Sequence, residues 1–184
     1  MFNIVEDKSP KANAGYTPFH CAAVFNRFDV CKIIMNAVHN PNYEIDNQGC
    51  TPLHFAAERG NIETCKVLLE KVGNQHPQDF DGRTPLHYAV VKNRVAICKL
   101  FVRNVDNKHP RDDEGNSPLH VAVIFKNLEL CKIFYNSVED ELPVNDILET
   151  PLHQAETLGY SEIVNYFKQI LTVPYQCTRS KLKM

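Results

Sequence analysis

The amino-acid sequence predicts an all-α protein: a solenoid of stacked helix-turn-helix units joined by β-turn loops. Three observations predict this fold. A four-residue motif recurs five times along the 184-residue chain, a Cys-Lys pair recurs with the same spacing, and a glycine lies two residues before four of the five motifs. The common period is 33–34 residues. Periods of this length are typical of repeats that are stable only when they stack.

The four-residue motif marks the start of each unit and reads Thr or Ser, Pro, Leu or Phe, His. Its copies begin at Thr17, Thr51, Thr84, Ser117 and Thr150. The hydroxyl suits a helix N-cap, and Pro fits the first helical position, where its missing N–H costs nothing. The His three residues after the cap can reach back to it, as Glu or Gln does in a capping box. The motif therefore predicts a short helix in every unit.

A second helix is predicted to follow each short one. The short helices should end at Asn26, Gly60, Asn93, Lys126 and Gly159, of which Lys126 fits the left-handed backbone least well. The second helix carries apolar residues at helical spacing, as in Ile62, Cys65 and Leu68. Turns with glycine then precede the next motif at Gly15, Gly49, Gly82 and Gly115. Neither helix could bury its apolar face alone, so successive units must stack.

In its period, its Thr-Pro-Leu-His motif and its Asp81-Gly82 turn, the sequence resembles the ankyrin repeat family over about residues 7 to 171. The resemblance implies a curved stack, with turn tips and first helices on the concave face and second helices on the convex back. It also implies the usual ankyrin role, which is binding another protein.

The two ends of the array differ. We expect repeats at 10–40, 41–76, 77–109, 110–142 and 143–171, a partial repeat at 1–9 and a tail at 172–184. The fifth repeat carries Glu156, Val164 and Leu148 at positions that hold other residues in the preceding repeats, as expected of a C-terminal cap. Nothing polar caps the N-terminal face. A partner, a second copy of the chain or preceding repeats of a longer array could cover it.

Several function classes are disfavoured. Twenty basic and 22 acidic side chains give a net charge of −2, which does not attract nucleic acid or acidic membranes. No apolar run approaches the roughly 20 residues that span a bilayer. No phosphate loop, nucleophile elbow or Cys-x-x-Cys pair occurs, so we expect no enzyme. The absence of a signal peptide favours a cytoplasmic or nuclear protein with reduced cysteines.

The recurring His and Cys residues are interpreted as structural, and neither a metal nor a cofactor is expected. Copies in neighbouring repeats should lie about 8–10 Å apart, whereas metal ligands lie about 2.0–2.1 Å from one ion. The cysteines of the ladder should be small buried hydrophobes rather than disulfides: Cys31, Cys65, Cys98 and Cys131. Cys50, beside a turn, is the thiol most expected to be exposed.

The partner-binding prediction comes from positions that vary between repeats. Turn tips, with the preceding residues, and first-helix ends present Tyr16, Phe25, Arg59, Phe80, Arg83, Lys92, Asn116 and Phe125. The family resemblance places them on the concave face, and aromatics among Arg are the composition of interface hot spots. For Phe25 and Phe125 the alternative is packing under the following loop. Two hypotheses stay open: a monomeric adaptor for another protein, or a structural terminal segment of a larger ankyrin protein, such as a channel or scaffold.

Overall fold

The computed structural model describes residues 14–37, 44–71, 75–137 and 142–171, and these residues form ten α-helices and no β-strand. The helices are α1 (Pro18–Val24), α2 (Phe28–Ala37), α3 (Pro52–Arg59), α4 (Ile62–Lys71), α5 (Pro85–Val91), α6 (Val95–Asn104), α7 (Pro118–Ile124), α8 (Leu128–Tyr135), α9 (Pro151–Thr157) and α10 (Ser161–Leu171). The all-α prediction is confirmed. The expected partial repeat at 1–9 and tail at 172–184 lie outside the described residues.

The predicted capping motif starts all five first helices. In each, Pro follows the N-cap and the His at the third helical position reaches back to it. In α5, His87 Nδ1 accepts the Thr84 backbone N–H at 3.1 Å and lies 2.9 Å from the Thr84 hydroxyl. One imidazole nitrogen therefore satisfies the N-cap backbone donor, which would otherwise be buried without an acceptor.

The positions predicted to be left-handed have that conformation. Backbone φ is +56° at Asn26, +81° at Gly60, +53° at Asn93, +52° at Lys126 and +71° at Gly159. The four turn glycines also have positive φ, and Leu148 takes their place in the fifth repeat with φ +62°. A left-handed residue with a Cβ costs roughly 1–2 kcal/mol, so Lys126 and Leu148 tolerate strain that glycine avoids.

The helices pack in two layers. The first helices of neighbouring repeats contact each other in one layer, and the second helices α2, α4, α6, α8 and α10 form the other. The core lies between the layers. The four cysteines of the ladder are fully buried there, which confirms that they are packing residues. In the last repeat, exposed Glu156 forms an ion pair with Lys168 at 2.7 Å, so this end carries polar groups.

Successive repeats are joined by hydrogen bonds at two levels. At the turn tips, the Phe80 amide donates to the Gln48 carbonyl at 2.9 Å, with equivalent bonds from Asn47, Asp113 and Asp146. Deeper, His Nε2 of one repeat binds a carbonyl of the next: His20 to Cys50, His54 to Arg83, His87 to Asn116 and His120 to Glu149, at 2.9–3.1 Å. Since Nδ1 accepts the N-cap amide, Nε2 must carry the proton and donate.

Candidate protein-binding surface

The ends of the first helices carry exposed apolar side chains in four of the five repeats. Phe25, just after α1, is 70% exposed, and Val91, Ile124, Phe125 and Leu158 are also exposed. Phe25 and Phe125 therefore do not pack under the following loop, and the alternative interpretation of these two residues is wrong. Single apolar residues are common on surfaces, but these recur at the same place in successive repeats, interrupted in the second repeat by Glu58 and Arg59.

A pocket of about 460 Å³ lies beside the first of these ends. Three predicted binding residues, Tyr16, Phe25 and Arg59, converge in its lining. The remaining lining residues come from α1, α3, α5 and the second turn: Cys21, Val24, Gln48, Cys50, Phe55, Glu58 and Tyr88. The volume falls within the range of about 300–1,000 Å³ that ligand-binding clefts occupy.

Aromatic rings form one wall of the pocket. The ring of half-buried Tyr16 lies 5.1 Å from that of Phe55 and 5.8 Å from that of His20, centroid to centroid. Burial raises the pKa of Tyr16, with a further contribution from Asp46, so its hydroxyl is neutral. Tyr16 therefore offers an aromatic surface held in place by the first two repeats.

The floor of the pocket is a closed hydrogen-bond network. Tyr88 Oη donates to Asp79 Oδ2 at 2.8 Å and lies 3.1 Å from Cys50 Sγ. Arg83 Nε donates to the same Asp79 oxygen at 2.9 Å. Burial raises the pKa of Asp79, but the hydrogen bonds from Tyr88, from two backbone amides and from Arg83 outweigh it and lower the pKa overall. Asp79 is therefore ionised, and Arg83 is held by it.

The rim of the pocket carries charge. Lys92 Nζ lies 3.3 Å from Glu58 Oε1, which pairs the predicted binding residue Lys92 with a lining carboxylate of the preceding repeat. The side chain of Arg59 is exposed and has no ion pair or hydrogen bond with any residue that the structure describes. Glu58 is therefore neutralised by Lys92, and Arg59 is the lining charge that has no ionic partner among the described residues.

Two residues expected at the surface are buried, which corrects the sequence prediction. Asn116 is 5% exposed, and Cys50 is 1% exposed, so Cys50 is not the exposed thiol. Both lie between the turn glycine and the N-cap, where the backbone carbonyl receives the histidine of the preceding repeat. The side chain of Asn116 is used internally, donating to Glu114 and accepting from Asn145. Of the thiols described, Cys21 is the exposed one.

The other two predicted binding residues lie apart from the pocket lining. Phe80 is 66% exposed at the third turn tip, where its ring lies against Gly49 of the second turn. Phe125 lies at the end of α7, in the fourth repeat. The structure therefore groups Tyr16, Phe25 and Arg59, links Lys92 and Arg83 to that group through Glu58 and Tyr88, and leaves Phe80 and Phe125 as separate exposed rings.

A second periodic set escaped the sequence prediction. Asp46, Asp79, Asp112 and Asn145 occupy equivalent positions, and each side-chain Oδ1 accepts the amide four residues later at 2.7–2.9 Å. These hydrogen bonds stabilise the turns whose tips carry the predicted binding residues. Their spacing of 33 residues is visible in the sequence and could have revealed them.

Within the described ranges, no helix is long and apolar enough to cross a membrane, and no group of His, Cys, Asp or Glu residues could hold a metal ion. The histidine ladder, formed by His20, His54, His87 and His120, instead uses each Nδ1 to cap its own helix and each Nε2 to bind a carbonyl of the next repeat.

Comparison with known families agrees with this architecture. Three stretches, residues 2–79, 39–108 and 72–146, match the family model described as ankyrin repeats (3 copies). The chain belongs to the ankyrin repeat family. No curated protein matches the sequence. Ankyrin repeats are generally modules of protein–protein interaction and typically lack enzymatic activity, so the chain is built on a binding architecture.

Proposed function

We propose that this ankyrin protein is an adaptor that binds a partner protein across its turn tips and first-helix ends, as a monomer in the cytosol or nucleus. The exposure of Phe25 beside the pocket carries this proposal, because most of its side chain faces solvent rather than its own repeat. The near-balanced charge of −2 favours a protein partner over nucleic acid.

The binding mechanism is preorganisation. The histidine ladder and the turn-tip bonds hold each repeat against the next, so the turns and helix ends that contact a partner are positioned before it arrives. Ordering a flexible side chain on binding costs about 0.5–1.5 kcal/mol. Half-buried Tyr16, packed against Phe55, avoids part of that cost.

A second candidate function is packing against a further ankyrin repeat, and the exposed flank formed by α1 and α2 favours it. Val30 and Ile33 on α2 are exposed, Ile33 to 69%. The residues equivalent to Val30 in later repeats are all buried by the repeat before them: Thr64, Ile97, Leu130 and Ile163. On this candidate the chain extends a larger solenoid, and α2 rather than the pocket is the interface.

One experiment separates the two candidates. The immobilised full chain captures proteins from a lysate under reducing conditions, and quantitative mass spectrometry compares Phe25→Asp with Ile33→Asp. The two residues are matched in exposure, at 70% and 69%, and lie in different helix layers. Truncating a hot-spot residue costs about 2 kcal/mol or more, so capture should fall roughly thirtyfold in Phe25→Asp alone. A loss confined to Ile33→Asp would reject the pocket surface in favour of the flank.

A further inference from the structure

We infer that the pocket beside α1 and α3 recognises an apolar side chain of the partner together with a carboxylate close to it in the partner's sequence. The inference rests on the proposed protein-binding function and names the chemistry of the partner segment. It follows from which lining groups are already engaged and which are still available.

The wall of the pocket selects an apolar group. Tyr16 and Phe55 present packed rings 5.1 Å apart, and Val24 and Phe25 extend the apolar surface from the end of α1. Phe25 is the most exposed of the four. An aromatic or large aliphatic side chain seated here would remove apolar surface from water on both partners, which is the dominant favourable contribution to most protein association.

The floor supplies no free hydrogen-bond donor from Tyr88 or Cys50. Because the Tyr88 hydroxyl donates to Asp79, its oxygen accepts from the Cys50 thiol. Burial raises the pKa of Cys50 to about 11, so this thiol keeps its proton. The donor proton of each group is therefore already engaged, and the floor does not compete for a polar ligand group.

The rim selects the charge of the ligand. Glu58 is paired with Lys92 at 3.3 Å. Among the described lining residues, Arg59 is the one full charge without an ionic partner. A guanidinium binds a carboxylate through two parallel hydrogen bonds, so a nearby Asp or Glu of the partner segment complements Arg59. A basic residue at that place would lie beside the unpaired Arg59 guanidinium and be disfavoured by charge repulsion.

The test uses the full chain and a phage-displayed library of random peptides, selected under reducing conditions near physiological salt. We expect the enriched peptides to share an aromatic or large aliphatic residue with an Asp or Glu within about three positions. A synthetic copy of an enriched peptide should protect the exposed Cys21, which lines the pocket, from alkylation. Mass spectrometry of the fragment that carries Cys21 gives the readout.

Variants then separate the charge from the pocket. Arg59→Gln should weaken binding of the synthetic peptide about tenfold, as should replacing its acid by the amide, and combining both changes should add little. Arg103→Gln is the matched control, because Arg103 is also exposed but lies at the end of α6 in the other helix layer. It should leave affinity unchanged.

The outcomes distinguish this inference from the proposed function beneath it. The inference would be overturned, with the binding surface left in place, by peptides that need Phe25 but carry no acidic residue. Peptides that need Phe25 but bind Arg59→Gln with unchanged affinity would do the same. A selection that yields no peptide dependent on Phe25 would overturn both.

Discussion

Because the histidine ladder joins neighbouring repeats, we expect the same substitution to lower the free energy of unfolding by different amounts at two equivalent positions, His87 and His153. His87→Leu removes a ring that is buried between the third and fourth repeats. His153→Leu removes the same ring from the fifth repeat, where it is exposed and binds no further repeat among the described residues. Both substitutions delete the capping contact, but only His87→Leu also deletes a bond to the next repeat and leaves a buried cap amide without an acceptor.

The magnitude follows from the groups that lose partners. His87→Leu removes the bond from Nε2 to the Asn116 carbonyl at 3.1 Å and the bond from the Thr84 amide at 3.1 Å. Each bond contributes about 1 kcal/mol, and a buried donor left without an acceptor costs about 1–3 kcal/mol more. Thr84 is buried and its amide cannot recruit water, whereas half-exposed Thr150 can. We expect His87→Leu to lower the free energy of unfolding by about 3–5 kcal/mol and His153→Leu to lower it by about 1 kcal/mol.

Urea unfolding followed by far-UV circular dichroism at pH 8 measures both costs, and equal m-values would show that the denatured states are comparable. If His153→Leu proved as costly as His87→Leu, the ladder would contribute nothing beyond helix capping, and the account of how the repeats are joined would be refuted.

Three further predictions concern the turns, the pH dependence and the thiols. In urea unfolding, Gly49→Ala should lower the free energy of unfolding by about 2–3 kcal/mol and Gly159→Ala by about 1 kcal/mol. Both glycines have positive φ, but a Cβ on Gly49 would lie 2.7 Å from Phe80, whereas one on Gly159 meets nothing within 4 Å. Equal losses would refute the role of turn stacking. Burial lowers the pKa of His54 to about 4 from its ordinary 6.5, so the unfolded state binds the extra proton and stability is lost as the pH falls through 6.5 towards 4. His54 alone should lower the free energy of unfolding by about 1 kcal/mol at pH 5.5, and equal unfolding free energies at pH 8 and 5.5 would contradict this. Brief alkylation with mass-spectrometric mapping should modify Cys21 ahead of Cys50, and the reverse order would restore the exposure first expected for Cys50.

The fold could be predicted because its determinants are local and recur. A cap, a following proline and a histidine three residues into the helix specify each helix start from adjacent residues. The left-handed ends at Asn26 and Gly60 likewise depend on one residue each. Repetition then determines how the units pack, since a unit that cannot bury its own apolar face must stack on the next copy.

The candidate site was only partly predictable, because it depends on contacts between repeats. Phe25 and Arg59 lie at the ends of first helices, and the sequence marks these ends because their residues vary between repeats. Their place at the surface could therefore be predicted. The burial of Asn116 could not, because it accompanies contacts between repeats: its carbonyl binds a histidine 29 residues earlier, and its side chain accepts from Asn145 of the next repeat. The sequence correctly predicted that this histidine caps its own helix. Its other nitrogen also needs a partner, and a backbone carbonyl at the equivalent position of each next repeat supplies it.

Hydrogen exchange of the full chain with and without a bound partner peptide tests the central claim most directly, since it locates the contact surface without substitutions. On binding of the peptide we expect slower amide exchange at the end of α1, at the second turn and α3, and at the end of α5. Exchange in α2, α4 and α6 should be unchanged. Protection concentrated on α2 or spread along the second helices would contradict it, because the partner would then lie on the other layer.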